Sequence, residues 1–297
     1  MKWDFAIGNP AYQAATDENS ENKTYAAPVY NYFLDEAFKV AEKVEMIHPA
    51  RFLFNAGSTP KAWNEKMLND PHFKVLDFEQ KSGKIFQNTD IKGGIAITYY
   101  DSTENFGAIE NFTPFAELNS IMRKVKTSNH FSSLSNIVFS AYSNKFTEEM
   151  LKEHPKVESI MSKGHALDLK SNVFEKLPDI FLEDEPNDTE TYCKFIGLVK
   201  NKRVFRYIKK KYVRSTANLE KYKVLMPAAN GSGALGEVLS TPLIGEPLIG
   251  EPLIGGTESF ISIGVLNTNG EALSLLKYVK TKFARVLLGA KKITQHI

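Results

Sequence analysis

The stretch Trp3-Asp4-Phe5-Ala6-Ile7-Gly8-Asn9-Pro10 decides the fold. It is almost continuously apolar and stops at Gly-Asn-Pro, which reads as a buried strand of the kind found in parallel sheets. Residues 16–24 are polar and loop-like. Pro28 then opens an amphipathic helix, with Tyr30, Phe33, Leu34, Ala37, Val40, Ala41 and Val44 at helical spacing and Pro28 in the first turn, where its missing N–H is harmless. Val44 to Ile47 reads as the next strand, ending at His48-Pro49. Strand, loop, helix and strand make a βαβ unit with an irregular crossover.

Farther along, Lys61–Leu68 reads as a helix and Phe73–Phe78 as a strand. In Gly94–Tyr100, Ile95, Ile97 and Tyr99 alternate against Ala96, Thr98 and Tyr100, as in a strand. Residues 102–112 are polar and turn-prone, placing a domain boundary near 108. Thr113-Pro114 reads as a helix start, with Thr as N-cap and Pro at the first helical position. The expected class is α/β for residues 1–108, followed by a mixed α+β region over residues 109–297.

The 297 residues suggest one or two domains. A hydrophobic fraction of 42% with 24% charged residues excludes a disordered, collagenous or low-complexity chain. No apolar run approaches the roughly 18 residues of a membrane helix, so no membrane partner is expected. Asp4 interrupts the place where a signal peptide would be apolar. The one cysteine, Cys193, cannot form an internal disulfide and reads as a small core residue, which suits a cytoplasmic protein. His130, His154 and His165 lack metal-ligand spacing.

A net charge of +2 names no partner, but its distribution does. Glu175, Asp179, Glu183, Asp184, Glu185, Asp188 and Glu190 form an acidic stretch containing one base, Lys176. Lys200, Lys202, Arg203, Arg206, Lys209, Lys210, Lys211 and Arg214 follow without an acid, interleaved with Phe205, Tyr207 and Tyr212. A solvated face is one reading of that basic stretch. DNA contact is the other, with phosphates meeting the bases and flat side chains stacking on displaced nucleobases. Residues 242–256 repeat Pro-Leu-Ile-Gly three times, a unit too short for a solenoid and read as an extended surface loop.

Three strings could carry chemistry. Asn9-Pro10-Ala11-Tyr12 follows a strand, and ligands of open α/β sheets bind at the carboxyl ends of strands. The Asn9 side-chain oxygen and the Pro10 carbonyl are acceptors, and Tyr12 is a flat ring. Together they suit a planar base bearing an exocyclic amino group; a simple turn is the competing reading. Gly231-Ser232-Gly233-Ala234-Leu235-Gly236 has nucleotide-loop spacing, but Pro242, Pro247 and Pro252 leave little room for the helix such a loop needs, so it reads as a turn. Asp77-Phe78-Glu79-Gln80-Lys81 holds an acid-x-Lys pair but no second acid for a nuclease metal.

The segment Asp4–Gln13 resembles the catalytic motif of adenine-N6-specific DNA methyltransferases, whose consensus is Asn-Pro-Pro-Tyr. His48-Pro49-Ala50-Arg51-Phe52-Leu53-Phe54-Asn55-Ala56-Gly57, Lys61-Ala62-Trp63-Asn64 and Asn88–Tyr99 resemble the restriction-modification methylases of that group. Val224-Leu225-Met226-Pro227 and the Pro-Leu-Ile-Gly units are similar to their target-recognition region. The resemblance implies the C-terminal part of a Rossmann-like methyltransferase sheet followed by a target-recognition domain. It implies methyl transfer from S-adenosylmethionine to N6 of a flipped adenine in double-stranded DNA, with Asn9 and Pro10 accepting from the amino group and Tyr12 stacking.

Two departures stand out. Ala11 replaces the second proline. The family places its Gly-rich cofactor turn upstream of the catalytic motif, where only eight residues precede Asn9, and Ala290–Ile297 ends where relatives continue, so the resemblance implies truncation at both ends. Two readings follow. One is an enzyme half that works with a separately encoded cofactor-binding chain or a restriction subunit. The other is a non-catalytic DNA-binding specificity module or inactive remnant.

Overall fold

In the computed structural model, β1 (Trp3–Gly8) runs parallel to β2 (Ala41–Pro49), with Trp3 opposite Ala41 and Gly8 opposite Met46. The helix α1 (Tyr30–Val40) joins them, so the expected βαβ unit is present. The structure describes residues 2–14, 26–229 and 246–291. These fall into two compact units, built on residues 1–128 and 129–288.

The first unit adds α2 (Lys61–Asn69), β3 (Phe73–Glu79), β4 (Ile95–Asp101) and α3 (Ala116–Lys126). Its sheet has the order β1-β2-β4-β3, with β4 antiparallel to both neighbours. Tyr30, Leu34, Phe52, Trp63, Met67, Phe73 and Ala96 form its core. The helix reading ran too far, because α1 stops at Val40 and Ala41 and Val44 are buried as strand residues. Here strand pairing with β1 overrides the helical spacing and the helix propensity of Ala41, Glu42 and Lys43. Pro28 precedes the helix and bridges Gln13 instead of entering the first turn.

The expected burial of β1 fails on one face. Ala6 packs against Ala37, Ala41 and Val44, but Trp3, Phe5 and Ile7 are 75%, 61% and 75% exposed. The alternation of side chains across a strand puts these three on the face away from α1. β1 is an edge strand, so its outer backbone edge is also unpaired among the described residues.

The compact unit also runs past residue 108. Phe106 N–H donates to the Pro71 carbonyl (2.7 Å) and Glu110 N–H to that of Leu68 (2.8 Å). Phe112 packs its ring against Phe54 and Phe78 at 5.5 and 5.4 Å between centroids. The polar stretch is thus stitched to the first unit through two backbone hydrogen bonds and the buried Phe112, which its composition does not reveal. Thr113 is not the N-cap of α3; Phe115 holds that position, and the Thr113 hydroxyl bonds Asn119 (2.9 Å).

The second unit contains β5 (Val138–Phe139), α4 (Glu148–Glu153), α5 (Val157–Ile160), α6 (Val173–Lys176), β6 (Tyr192–Val199), β7 (Lys202–Lys209) and β8 (Tyr222–Pro227). It continues with β9 (Leu248–Gly250), β10 (Ile254–Gly256), β11 (Phe260–Leu266), α7 (Asn269–Val279) and α8 (Lys282–Lys291). Two sheets result, β10-β6-β7 and β5-β11-β8-β9, around a core including Phe146, Met150, Phe174, Cys193, Phe195 and Ile208. β6 and β7 form a hairpin through Lys200 and Asn201, at φ 49° and 60°. Two positive-φ residues are what a tight primed turn demands.

The Pro-Leu-Ile-Gly repeat is not a surface loop in its described part. Its second copy supplies β9, paired to β8, and its third supplies β10, parallel to β6. Gly255 fits because a Cβ there would sit 2.5 Å from the Phe195 ring. The first copy through Gly245, and Gly231–Gly236, lie outside the described residues. Of the described residues, no helix is long and apolar enough to cross a membrane.

Candidate functional site

β1 and β2 both end at one edge of the sheet, and the chain leaving each contributes to a cleft of about 280 Å³. Its walls include Tyr12 and Gln13 after β1, Pro49 and Arg51 at and after β2, Tyr30 of α1, Gly57–Thr59, and Asp90–Lys92. Tyr12 is held there because its carbonyl accepts from Val29 N–H (3.1 Å) and its ring meets Phe86 edge-on (6.5 Å). Its hydroxyl is buried without a hydrogen-bond partner, and burial raises its pKa. Asn9 is exposed and Pro10 half-buried, directly after Gly8; neither belongs to the cleft wall. The structure therefore brings Tyr12 to the cleft and leaves Asn9 and Pro10 on the strand end beside it in sequence.

The floor is rigid. His48 is fully buried, stacked on Tyr30 at 5.5 Å and 4° between planes. Its Nδ1 faces the Pro49 carbonyl (3.2 Å), which can only accept, so Nδ1 carries the proton and Nε2 accepts from the Thr98 hydroxyl (2.7 Å). Burial pulls His48 down to about 4, so it is neutral at pH 7. Burial pushes Tyr30 up to about 12, partly offset by Thr59 and by the positive Arg51. Arg51 opens a short 3₁₀ turn, Arg51–Phe54, closed by Asn55 in the left-handed region. Its Nε is buried without a partner. Sequence reasoning passed over Arg51, Tyr30, Asp90 and Lys92 as site residues; an arginine directly after the second parallel strand was the available signal.

The basic stretch is placed differently. Arg206 pairs with Glu183 (2.5 Å), Lys209 with Glu190 (3.1 Å), Lys210 with Glu220 (2.5 Å), and Lys211 with Glu153 (2.5 Å) and Glu149 (3.5 Å). Leu182 and Tyr207 exchange backbone hydrogen bonds, so the acidic segment lies along the outer edge of β7. Arg203 is half-buried over the Phe260 ring. Tyr212 is buried, bonded to Glu153 and His154, and its face is not free to stack on a base. Lys200, Lys202 and Arg214 are exposed.

Cys193 is buried and its thiol is pushed up to about 11 by burial. In the acid-x-Lys string, Glu79 pairs with Lys84 (2.8 Å). Among the described residues no group of three His, Cys, Asp or Glu is placed to hold a metal ion. Neither β1 nor β2 ends in a glycine-rich turn, so the described residues at this edge do not fit an S-adenosylmethionine site.

Residues 1–86 match the family model described as Eco57I restriction-modification methylase. This part of the chain is similar to restriction-modification methylases. The match takes in β1, α1, β2, α2 and β3, and with them Asn9, Pro10, Tyr12, His48 and Arg51. A search of curated proteins finds no match to the chain.

Proposed function

We propose that this protein is the base-binding part of an adenine-specific DNA methyltransferase of a restriction-modification system. The carrying observation is the position of Asn9-Pro10-Ala11-Tyr12 directly after a strand that runs parallel to β2, with Tyr12 in the cleft wall, inside the segment that matches the methylase family. In this reading a flipped adenine enters from double-stranded DNA. The exposed Asn9 side-chain oxygen and the Pro10 carbonyl accept from its amino group, and both bonds strengthen as positive charge develops on N6. Tyr12 offers its ring to the base.

S-adenosylmethionine is the methyl donor of this reading, and its site would be built by residues other than those described at this edge. The unpaired edge of β1, with Trp3, Phe5 and Ile7 exposed beside it, is where further strands or a partner polypeptide would add. The second unit serves as the target-recognition domain, with Lys200, Lys202 and Arg214 as its free phosphate contacts. The work is cytoplasmic.

The test is methylation mapping. DNA from cells expressing the protein together with the polypeptide that supplies the methyl-donor site should carry N6-methyladenine at one sequence, and Asn9→Ala should abolish it while protein levels hold. N6-methyladenine undiminished by Asn9→Ala would overturn the assignment of this loop.

A further inference from the structure

Among the described residues, Arg51 is the charged group of the cleft that pairs with no carboxylate. Asp90 and Lys92 also line the wall, but they neutralise each other in an ion pair of 2.6 Å. Among the described residues no acid pairs with Arg51, so it sets the sign of the cleft. Its Nε is buried with no hydrogen-bond partner, as is the Tyr12 hydroxyl on the same wall. An N–H removed from water and left unpaired is costly, more so when charged. The described residues supply no acceptor for the Arg51 Nε, and a buried donor without one calls for an explanation, an ion or ligand among them.

The arginine is also held in place. Ala50 N–H donates to the Gly94 carbonyl (3.0 Å), and the Arg51 carbonyl accepts from Ala56 N–H (3.2 Å). Gly57, at φ +90°, lies against the stem; a Cβ there would come within 3.2 Å of Arg51 Cβ. A guanidinium has donors only, so its complement is an acceptor-rich anion, and its planar fork matches phosphate in two parallel hydrogen bonds.

We infer that Arg51 binds the phosphate of the nucleotide whose base enters the cleft, and so sorts a nucleotide held by its backbone from a free base. This rests on the base-binding reading above. Arg51 is then a specificity-determining residue that acts on the sugar–phosphate side, while Asn9 and Pro10 act on the amino group.

Titration of the purified chain with deoxyadenosine 5′-monophosphate, deoxyadenosine and inorganic phosphate at low salt, followed by ligand-observed NMR, separates the two claims. The nucleotide should bind about tenfold or more tighter than the nucleoside, the size expected of hydrogen bonds to a charged group. Arg51→Gln keeps much of the stem and should bring nucleotide affinity down to that of the nucleoside, leaving the nucleoside unchanged. Arg51→Lys should recover part of the difference, since it restores the charge without the fork. Tryptophan fluorescence confirms that each variant is folded, because Trp63 is in the core of this unit.

Equal binding of nucleotide and nucleoside by the parent protein, unaffected by Arg51→Gln, would overturn the inference and leave the base reading standing. Phosphate binding lost in Arg51→Gln, with no binding of the nucleoside, would support the anion site and contradict the base reading. Binding of none of the three would overturn both.

Discussion

Two regions of this molecule carry positive charge toward a possible polyanion, and they treat it in opposite ways. On and after β7 the sequence concentrates basic residues, and the fold hands four of them to carboxylates: Arg206 to Glu183, Lys209 to Glu190, Lys210 to Glu220 and Lys211 to Glu153. In the cleft after β1 and β2 the described residues leave one arginine, Arg51, without a carboxylate partner. Charge density along a chain therefore does not measure charge available to a ligand. What matters is whether the fold supplies the counter-ion: the acidic segment 182–190 does so for Arg206 and Lys209 by lying along β7, and Glu220 and Glu153 do so for Lys210 and Lys211.

The two units also differ in the buried base each contains, so burial makes both more stable as pH rises but in different pH windows. His48 in the first unit is held down to about 4, against about 6.5 in an unfolded chain. Between those values the unfolded chain binds more protons, so stability falls as pH drops from about 6.5 to 4, by about 3 kcal/mol in total. The protein's two tryptophans, Trp3 and Trp63, both lie in this unit, so their fluorescence follows it alone. Urea titrations at pH 7 and pH 4.5 should show the loss, and His48→Gln should flatten it. A pH-independent midpoint in the parent protein would break this half of the comparison.

Lys223 in the second unit gives the same sign at higher pH. It is buried, and its ammonium shares its three N–H groups among the carbonyls of Asn218, Leu219, Lys221 and Glu251 at 2.8–3.2 Å. Burial pulls it down to about 8, against about 10.4 unfolded, so its contribution rises with pH across that window. Lys223→Met leaves those four carbonyls short of a donor and should cost about 1–3 kcal/mol, read by circular dichroism in denaturant. The rise between pH 8 and 10 should vanish in the variant.

The smallest expected effect is on DNA. Replacing Lys209, Lys210 and Lys211 with Ala would lower the salt slope by about three times 0.9 if all three met phosphates. Because each is paired with an acid, the expected change is less than about one unit. Replacing Lys200, Lys202 and Arg214 with Ala should change the slope more. The reverse ranking, from filter binding at several salt concentrations, would show that the paired lysines leave their carboxylates on DNA.

Much of the first unit was legible in the sequence. Trp3–Ile7, the helix after Pro28, Lys61–Leu68, Phe73–Phe78 and Gly94–Tyr100 all correspond to observed elements within a few residues. Local periodicity and the Gly-Asn-Pro stop carry that information. What escaped was non-local. Whether β1 is covered depends on what packs on its far face, not on its own residues. The polar run 102–112 joins the first unit through Phe106, Glu110 and Phe112, which look ordinary in sequence. The Leu-Ile-Gly units became strands because β6 and β8 lie beside them. For the site, Tyr12 was legible from its motif, while Arg51 became visible only when two strand ends met.

In the proposed function, the strand end after Gly8 takes up an unstacked adenine. The most direct measurement is the fluorescence of a duplex carrying 2-aminopurine at a mispaired position, where flipping costs least. Binding of the parent protein should raise the fluorescence as the base leaves the stack. Tyr12→Ala should reduce that rise, since stacking on an aromatic face is worth about 1–3 kcal/mol, while Tyr12→Phe and the triple-lysine variant should leave it nearly intact. A rise unaffected by Tyr12→Ala would contradict the placement of the base in this cleft.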